Sequence, residues 1–332
     1  MDSLKKLSRD TRRILAAVAL VSTLLLLAVL LFPSHVTDVT AATRVCGVCL
    51  ATVLMLGLIL PRLKEAGRSL LLAAGVLFVT GQLFNASAFV QHLLVPGWKD
   101  AELLALDRVL FGGELSERLQ GITHPVLTEW LMAAYVLYVP MLPFTAWLCR
   151  RYGGTTAMER YLLHLVYVYL ACDVGFILYP VASQRYFGSA IYTVPLEGGY
   201  FTAAGEWMRS TLHFPGGSLP SPHCAAGAVR LAHLIINKRS FGMIFAPLLA
   251  SIFPATVYLR YHYVWDGLAG ITLAGLILSP LLAEKISRTE RGGRTIVPRV
   301  WCDARLGLIR RKSRGENNTT ETMYGSSSVV QH

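Results

Sequence analysis

Long apolar runs separated by short polar segments dominate the pattern of this chain. Eight runs approach or exceed the roughly 20 residues that a helix needs to cross a bilayer. The chain is therefore expected to be all-α, a polytopic membrane helical bundle of about eight transmembrane helices with a six-helix core. The predicted spans are residues 14–32, 43–61, 69–95, 125–149, 161–181, 222–237, 241–259 and 264–284.

The positions of the basic residues predict the orientation of these spans. With a cytoplasmic N-terminus, the inner segments carry 23 Lys and Arg residues and the outer segments carry 6. Cytoplasmic segments are typically enriched in these residues, so both termini are expected in the cytoplasm. The same distribution accounts for the net charge of +11, and we therefore expect the bilayer, and no nucleic acid, as a partner. Charged residues make up only 15% of the chain, below the roughly 25% of soluble domains.

The chain is expected to have three parts. Residues 1–68 form a cytoplasmic N-terminus plus two extra transmembrane helices, and the first apolar run is longer than a typical signal-peptide core. Residues 69–285 form the core, with outer loops at 96–124 and 182–221. The amphipathic stretch 101–111 is expected to lie along the membrane interface. Residues 286–332 form a basic cytoplasmic tail with a disordered end. Six scattered cysteines indicate neither a disulfide framework nor a zinc site.

Candidate chemistry begins with His262 and Asp266, at the outer end of the last span. Residues four apart share one face of a helix, so the two side chains can meet. A carboxylate bonded to one imidazole nitrogen leaves the other free to attack. Histidines and aromatic residues are also common at the headgroup level, so interfacial decoration is the alternative.

A second cluster opens the sixth span. Ser221 is expected to cap this helix, with Pro222 as its first residue. Exposed amide groups at a helix N-terminus bind anions, and His223 there is placed to protonate a phosphate leaving group. The alternative is a capped helix with an incidental histidine.

A third cluster follows the fifth span, where Arg185 would be a planar, permanently charged phosphate donor. A lone Arg after a span is more often a solvated anchor. The predicted topology places all three clusters on the outer side, and this strengthens the case for a phosphate site.

The three clusters together resemble the type 2 phosphatidic acid phosphatase superfamily, which also includes the vanadium haloperoxidases. More narrowly, they resemble the branch of the inositol phosphorylceramide synthases, which typically reads YPxxxxR, PSxHC or PSGH, and HYxxDxxAG. The resemblance covers residues 69–284. Here the motifs read Tyr179-Pro180…Arg185, Pro220-Ser221-Pro222-His223-Cys224, and His262-Tyr263…Asp266-Gly267-Leu268-Ala269-Gly270.

This resemblance implies metal-independent phosphoester chemistry, with no cofactor, on a phospholipid or lipid-linked phosphate. His262 would form a phosphohistidine, Asp266 would orient it, and His223 would protonate the leaving oxygen. The superfamily often has an Arg where this chain has Thr256, and Arg260 would supply that charge. Phosphate oxygens would be bound by Arg185, Ser221 and Arg260.

Two charges lie inside predicted spans, which makes them functional candidates. Asp173 and Arg230 are each eight residues from the outer end of a span, about 12 Å deep. We expect them to pair across adjacent helices as a structural clamp.

Several alternatives remain open at this level. The reaction would be hydrolysis if water accepts the phosphoryl group and transfer if an alcohol does, and the sequence does not distinguish the two. It also does not indicate the lipid substrate or the oligomeric state. A transporter or lipid-binding protein is the rival function, although transport sites tend to lie near the midplane. The expected location is a bacterial inner membrane with an extracytoplasmic site.

Overall fold

Every regular element in the computed structural model, which describes residues 6–291, is helical. The described residues up to Ser279 form one compact unit, and those from Pro280 belong to a second. The predicted tail lies largely outside the described residues. The helices are α1 Arg9–Leu31, α2 Val39–Ile59, α3 Glu65–Val90, α4 Asp100–Phe111, α5 Leu115–Arg118, α6 Pro125–Val136, α7 Tyr138–Leu178, α8 Gln184–Phe187, α9 Tyr200–Leu212, α10 Pro222–Asn237, α11 Arg239–Ala250, α12 Ile252–Tyr258 and α13 Val264–Arg291.

Six helices of the described part are long and apolar enough to cross a membrane, so the predicted count of about eight is not confirmed. Part of the difference lies in α7, which is 41 residues long and contains about half of the predicted span 125–149 and most of the span 161–181, on either side of a non-helical Gly154. Another predicted span is α10, which has only 16 residues. The six qualifying segments are Arg9–Leu31, Val39–Arg62, Glu65–Val90, Tyr138–Leu178, Arg239–Tyr258 and Val264–Ala283.

The outward faces of these helices are apolar, as a lipid environment requires. Leu20 and Leu31 of α1 are 60% and 70% exposed, and Leu70 of α3 is 74% exposed. A water-soluble bundle would place polar residues on such faces. The exposed leucines are consistent with an integral membrane protein.

The centre of the bundle is α7, which packs against α1, α3 and α10. The two N-terminal helices are part of this packing, because α1 contacts both α2 and α7 and α2 contacts α3. Helix α10 in turn packs against α11 and α12. The chain therefore wraps the longest helix with both its N-terminal and its C-terminal spans.

The two long outer segments carry helices of their own. The amphipathic stretch 101–111 is helical, as α4, and it ends at Gly112 in a left-handed conformation with φ of 69°. The second segment was expected as a loop rich in Gly and Pro, but it contains the 13-residue helix α9. Asp100 of α4 joins the two segments, because its carboxylate accepts hydrogen bonds from the amides of Ala182 and Ser183 at 2.8 and 3.1 Å.

Helices α10 and α13 approach each other closely at their first turns. The amide of Ser221 donates to the carbonyl of Asp266 at 2.8 Å. A Cβ atom built on Gly270 would overlap the carbonyl oxygen of Ser221. Only a glycine at this position allows the two helix starts to touch.

Gly270→Ala is expected to destabilise the protein by about 1–3 kcal/mol, because overpacking forces the two backbones apart. Thermal unfolding in detergent, followed by circular dichroism, measures the change. Gly275→Ala in the same helix is the matched control, since a Cβ there meets nothing within 4 Å. Equal melting temperatures for the two variants would contradict the proposed contact.

Candidate active site

His262 and Asp266 meet at the start of α13. His262 precedes the helix and Asp266 lies in its first turn, so the contact forms across the helix start and not along a continuous helical face. The Nδ1 atom of His262 lies 3.1 Å from Oδ2 of Asp266, and this oxygen also accepts the amide hydrogen of Tyr263 at 3.1 Å. Both side chains are buried. The carboxylate therefore holds the imidazole in one orientation.

Ser218 completes this group, and sequence reasoning gave it no role. Its hydroxyl donates to Oδ2 of Asp266 and lies 3.0 Å from Nδ1 of His262. Ser218 and Asp266 both contact Nδ1 of His262. The other ring nitrogen, Nε2, has no hydrogen bond to any described residue. The only sequence signal was its place three residues before Ser221, within the second motif.

His223 lies in the first turn of α10, where the sequence placed it. Ser221 caps this helix by accepting a hydrogen bond from the amide of Cys224 at 3.4 Å, and Pro222 is the first helical residue, so both predictions are confirmed. The ring of His223 stacks on Tyr135 at 4.7 Å between centroids and lies 4.5 Å from the ring of Tyr138. The aromatic rings fix the plane of the imidazole.

The two histidines meet edge to face in the wall of one cavity. Their ring centroids are 5.6 Å apart, with an edge-to-face angle of 62°. Together with Ser218, they line a cavity of about 410 Å³, called here the histidine cavity. Ser221 is fully buried and does not line this cavity, and its hydroxyl caps α10.

Arg185 and Arg260 come together in a neighbouring space of about 580 Å³, called here the arginine chamber. Arg209 of α9 is a third guanidinium in its wall, and its Nε donates to Glu206 at 2.8 Å. His213 lines both the chamber and the histidine cavity and thus connects them. Arg209 and His213 had no sequence-level assignment, although their spacing of four on one helix end could have marked them as neighbours.

The three arginines differ in how they are held. Arg260 adopts a left-handed φ of 65°, lies over the ring of Tyr192 at 4.5 Å, and donates to the carbonyl of Val194 at 2.6 Å. Arg185 has no hydrogen bond to any residue in the described part of the chain. Partial burial and the positive charge of Arg209 lower the pKa of Arg185 from its usual value. Arg185 is therefore a cation placed among cations, an arrangement that an anionic ligand would relieve.

Asp173 and Arg230 do not form the expected ion pair. Arg230 donates to the carbonyls of Tyr138 and Ala226 at 2.8 and 3.2 Å, and it lies over the ring of Tyr138 at 4.4 Å. Both carboxylate oxygens of Asp173 are buried beside Val21 of α1, and neither has a hydrogen-bond partner within residues 6–291. The prediction was wrong because it rested on the equal depth of Asp173 and Arg230 in their spans. Depth does not determine the face of the helix on which each side chain lies.

Comparison with known proteins gives one match. A family model described as the PAP2 superfamily matches residues 101–279, a little over half of the 332 residues. The match begins in α4, later than the expected start at residue 69, and it does not distinguish branches of the superfamily. No curated protein and no solved structure matches significantly.

Replacement of Arg230 by Ala is expected to cost about 3 kcal/mol or more, because two hydrogen bonds from a charged donor are lost. Asp173→Asn is expected to cost much less, since no partner is lost. Thermal unfolding in detergent compares the two variants. The double variant Asp173→Arg/Arg230→Asp should be as unstable as the single variants Asp173→Arg and Arg230→Asp. Recovery of stability in the double variant would support the ion-pair hypothesis.

Proposed function

Because the chain belongs to the PAP2 superfamily, we propose that it is an integral-membrane lipid phosphatase or phospho-headgroup transferase working through a phosphohistidine. The observation that carries the proposal is the position of His262. Its Nδ1 is held by Asp266 at 3.1 Å, while its free Nε2 belongs to a ring that lines a cavity opposite His223. An imidazole fixed at one nitrogen and open at the other is equipped for nucleophilic attack.

In the first step, Nε2 of His262 attacks the phosphorus atom of the lipid phosphate. An N–P bond forms and the bond from phosphorus to the lipid oxygen breaks. Protonated His223 gives its proton to this oxygen, so the lipid leaves as a neutral alcohol. Asp266 and Ser218 stabilise the positive charge that the substituted imidazole carries.

In the second step, His223 takes a proton from water or from an acceptor alcohol. The resulting nucleophile attacks the phosphorus, the N–P bond breaks, and free phosphate or a new phosphoester is released. His223 is again protonated and His262 is neutral. Hydrolysis and transfer share every residue and differ only in the nucleophile that reaches the intermediate.

Negative charge on the phosphoryl oxygens would be stabilised by Arg185 and Arg260. Bidentate guanidinium groups suit this task because their geometry matches a phosphate. Ser221 contributes indirectly, because its cap fixes the helix end that carries His223. Arg209 is a candidate third cation for the same substrate.

The active site is proposed to face the extracytoplasmic side. The basic residues of the connecting segments favour cytoplasmic termini. The histidine cavity lies at the ends of the spans opposite the predicted cytoplasmic segments. Of the branches in the superfamily, we favour the one of the inositol phosphorylceramide synthases, because the motifs around Arg185, His223 and His262 follow its spacing. A bacterial inner membrane is the proposed location.

His262→Ala is expected to abolish release of phosphate or transfer of a headgroup by purified protein in detergent. His223→Ala is expected to reduce turnover by about 10²–10⁴-fold through loss of the proton donor. The test panel contains lipid phosphate monoesters and phosphodiester lipids with an alcohol acceptor, assayed with and without EDTA. Turnover should not require added metal.

Trapping the intermediate gives an independent readout. Wild-type protein quenched during turnover of a radiolabelled substrate should carry an acid-labile, base-stable label on the peptide that contains His262. His164→Ala is a suitable control, because this histidine contacts His233 and lines neither the histidine cavity nor the arginine chamber. Wild-type protein that is inactive on the whole panel would sink the proposal and favour a transporter or lipid-binding protein.

Ser218→Ala is expected to lower kcat by about tenfold and to leave KM nearly constant. One hydrogen bond to a charged group is worth about 1.5–3 kcal/mol. Part of this stabilisation is already present in the enzyme–substrate complex, and only the remainder affects kcat. Ser218 acts here as a positioning residue, so the pH profile of kcat should also shift. Ser279→Ala removes only a hydrogen bond within α13 and serves as control. Wild-type kcat and pH profile in Ser218→Ala would contradict the role.

A further inference from the structure

A second, apolar space opens next to the histidine cavity. It has a volume of about 470 Å³ and lies between α3 and the start of α7. Val139, in its wall, is 53% exposed, and Gly81 and Pro140 are exposed beside it. This space is called here the apolar groove, and its wall includes Leu77, Gly81, Val139, Pro140, Leu142 and Pro143.

Apart from His223, whose Nδ1 has no hydrogen-bond partner among the described residues, the polar side chains that line the apolar groove are paired within the protein. The hydroxyl of Thr80 donates to the carbonyl of Val76 at 2.9 Å. The hydroxyls of Tyr138 and Tyr169 bond to each other, and Tyr138 also contacts the carbonyl of Pro222 at 3.2 Å. Away from His223, a polar headgroup would find no unpaired side chain along this wall. The groove therefore suits hydrocarbon.

The apolar groove is continuous with the histidine cavity. Phe84, Tyr138 and Val139 line both spaces, as do Gly81 and His223. His223 is thus the junction at which a molecule would pass from one space to the other. The three arginines line neither the groove nor this junction.

We infer that the apolar groove binds the hydrocarbon chain of the substrate's leaving group, a lipid alcohol esterified to the reacting phosphate. This rests on the proposed function. The phosphate lies in the histidine cavity beside both rings, and the ester oxygen lies at His223, which protonates it. From that oxygen the chain runs between α3 and α7, past Gly81 toward Leu77, and the exposed Val139, Pro140 and Pro143 leave this path open to the surrounding lipid. Polar parts of the substrate are directed to the other side, toward the arginine chamber.

Two positions on α3 test this path. A Cβ built on Gly81 meets nothing within 4 Å, so a leucine there has room and occupies the groove close to His223. Leu77 is one turn further along the same face, about 6 Å away at a rise of roughly 1.5 Å per residue. Leu77 lines the groove but not the histidine cavity. A blockage at Leu77 should therefore affect only ligands with longer chains.

Gly47→Leu is the matched control. Gly47 is also an exposed glycine within a spanning helix, and a Cβ there meets nothing within 4 Å. It lies in α2 and lines neither the groove, the histidine cavity nor the arginine chamber. The Gly47→Leu variant adds the same leucine side chain to a lipid-facing helix surface and should change detergent binding to the same extent. It leaves the apolar groove unchanged.

The experiment measures the binding of butyl, octyl and hexadecyl phosphonate to full-length protein in detergent, by thermal shift and calorimetry. These compounds keep the anionic head but resist turnover. Wild type and Gly47→Leu should bind more tightly as the chain lengthens. Gly81→Leu should weaken hexadecyl phosphonate about tenfold more than butyl phosphonate, which corresponds to about two displaced methylene groups. Leu77→Trp should weaken the hexadecyl compound and spare the butyl compound.

The outcomes separate this inference from the proposed function. If Gly81→Leu and Leu77→Trp bind every phosphonate as Gly47→Leu does, the chain does not use the groove, although lipid phosphate turnover by the wild type would keep the proposed function. If wild-type protein binds no phosphonate and turns over no phosphoester, both proposals are overturned. If only one of the two blocking variants folds, the remaining one decides.

Discussion

The contact between the first turns of α10 and α13 is the constraint on which the site depends. His223 belongs to the first of these turns, and His262 immediately precedes the second. The amide of Ser221 reaches the carbonyl of Asp266 at 2.8 Å, and the missing side chain at Gly270 makes this approach possible. This contact between the two helix starts sets the separation of 5.6 Å between the two imidazole ring centroids. Any change that parts the two helix starts would separate the proposed nucleophile from the proposed acid.

Polarity changes in order across the outer end of the bundle. The arginine chamber is cationic, the histidine cavity is mixed, and the apolar groove is almost entirely hydrocarbon. A lipid phosphate has the same order, with charge at one end and hydrocarbon at the other. Water entering from the chamber side would reach the phosphorus before it reached the chain. The arrangement therefore fits a reaction in which the lipid stays in the membrane while the phosphate exchanges with an aqueous or alcoholic acceptor.

Arg230 shows that a buried charged side chain in a membrane bundle can be stabilised without an ion pair. Arg230 obtains one carbonyl acceptor and an aromatic face from Tyr138, the first residue of α7, and a second carbonyl from Ala226 in its own helix. A backbone carbonyl has two lone pairs, so it can accept from a guanidinium as well as from the helix. Asp173 faces the opposite side of α7, toward the N-terminal helices. The depth of a residue along a span limits its possible partners, but the rotation of the helix chooses among them.

Hydropathy alone determined that this protein is a helical membrane bundle, because a run of about 20 apolar residues has few other stable states. Local chemistry determined the cap at Ser221 and the meeting of His262 with Asp266, since both depend on residues within four positions of each other. Motif spacing identified the superfamily. Only the tertiary structure brought Ser218, Arg209 and His213 to the site, because all three lie far from His262 in the chain. It also formed the apolar groove from α3 and α7, because the packing of two helices creates a surface that neither sequence segment contains.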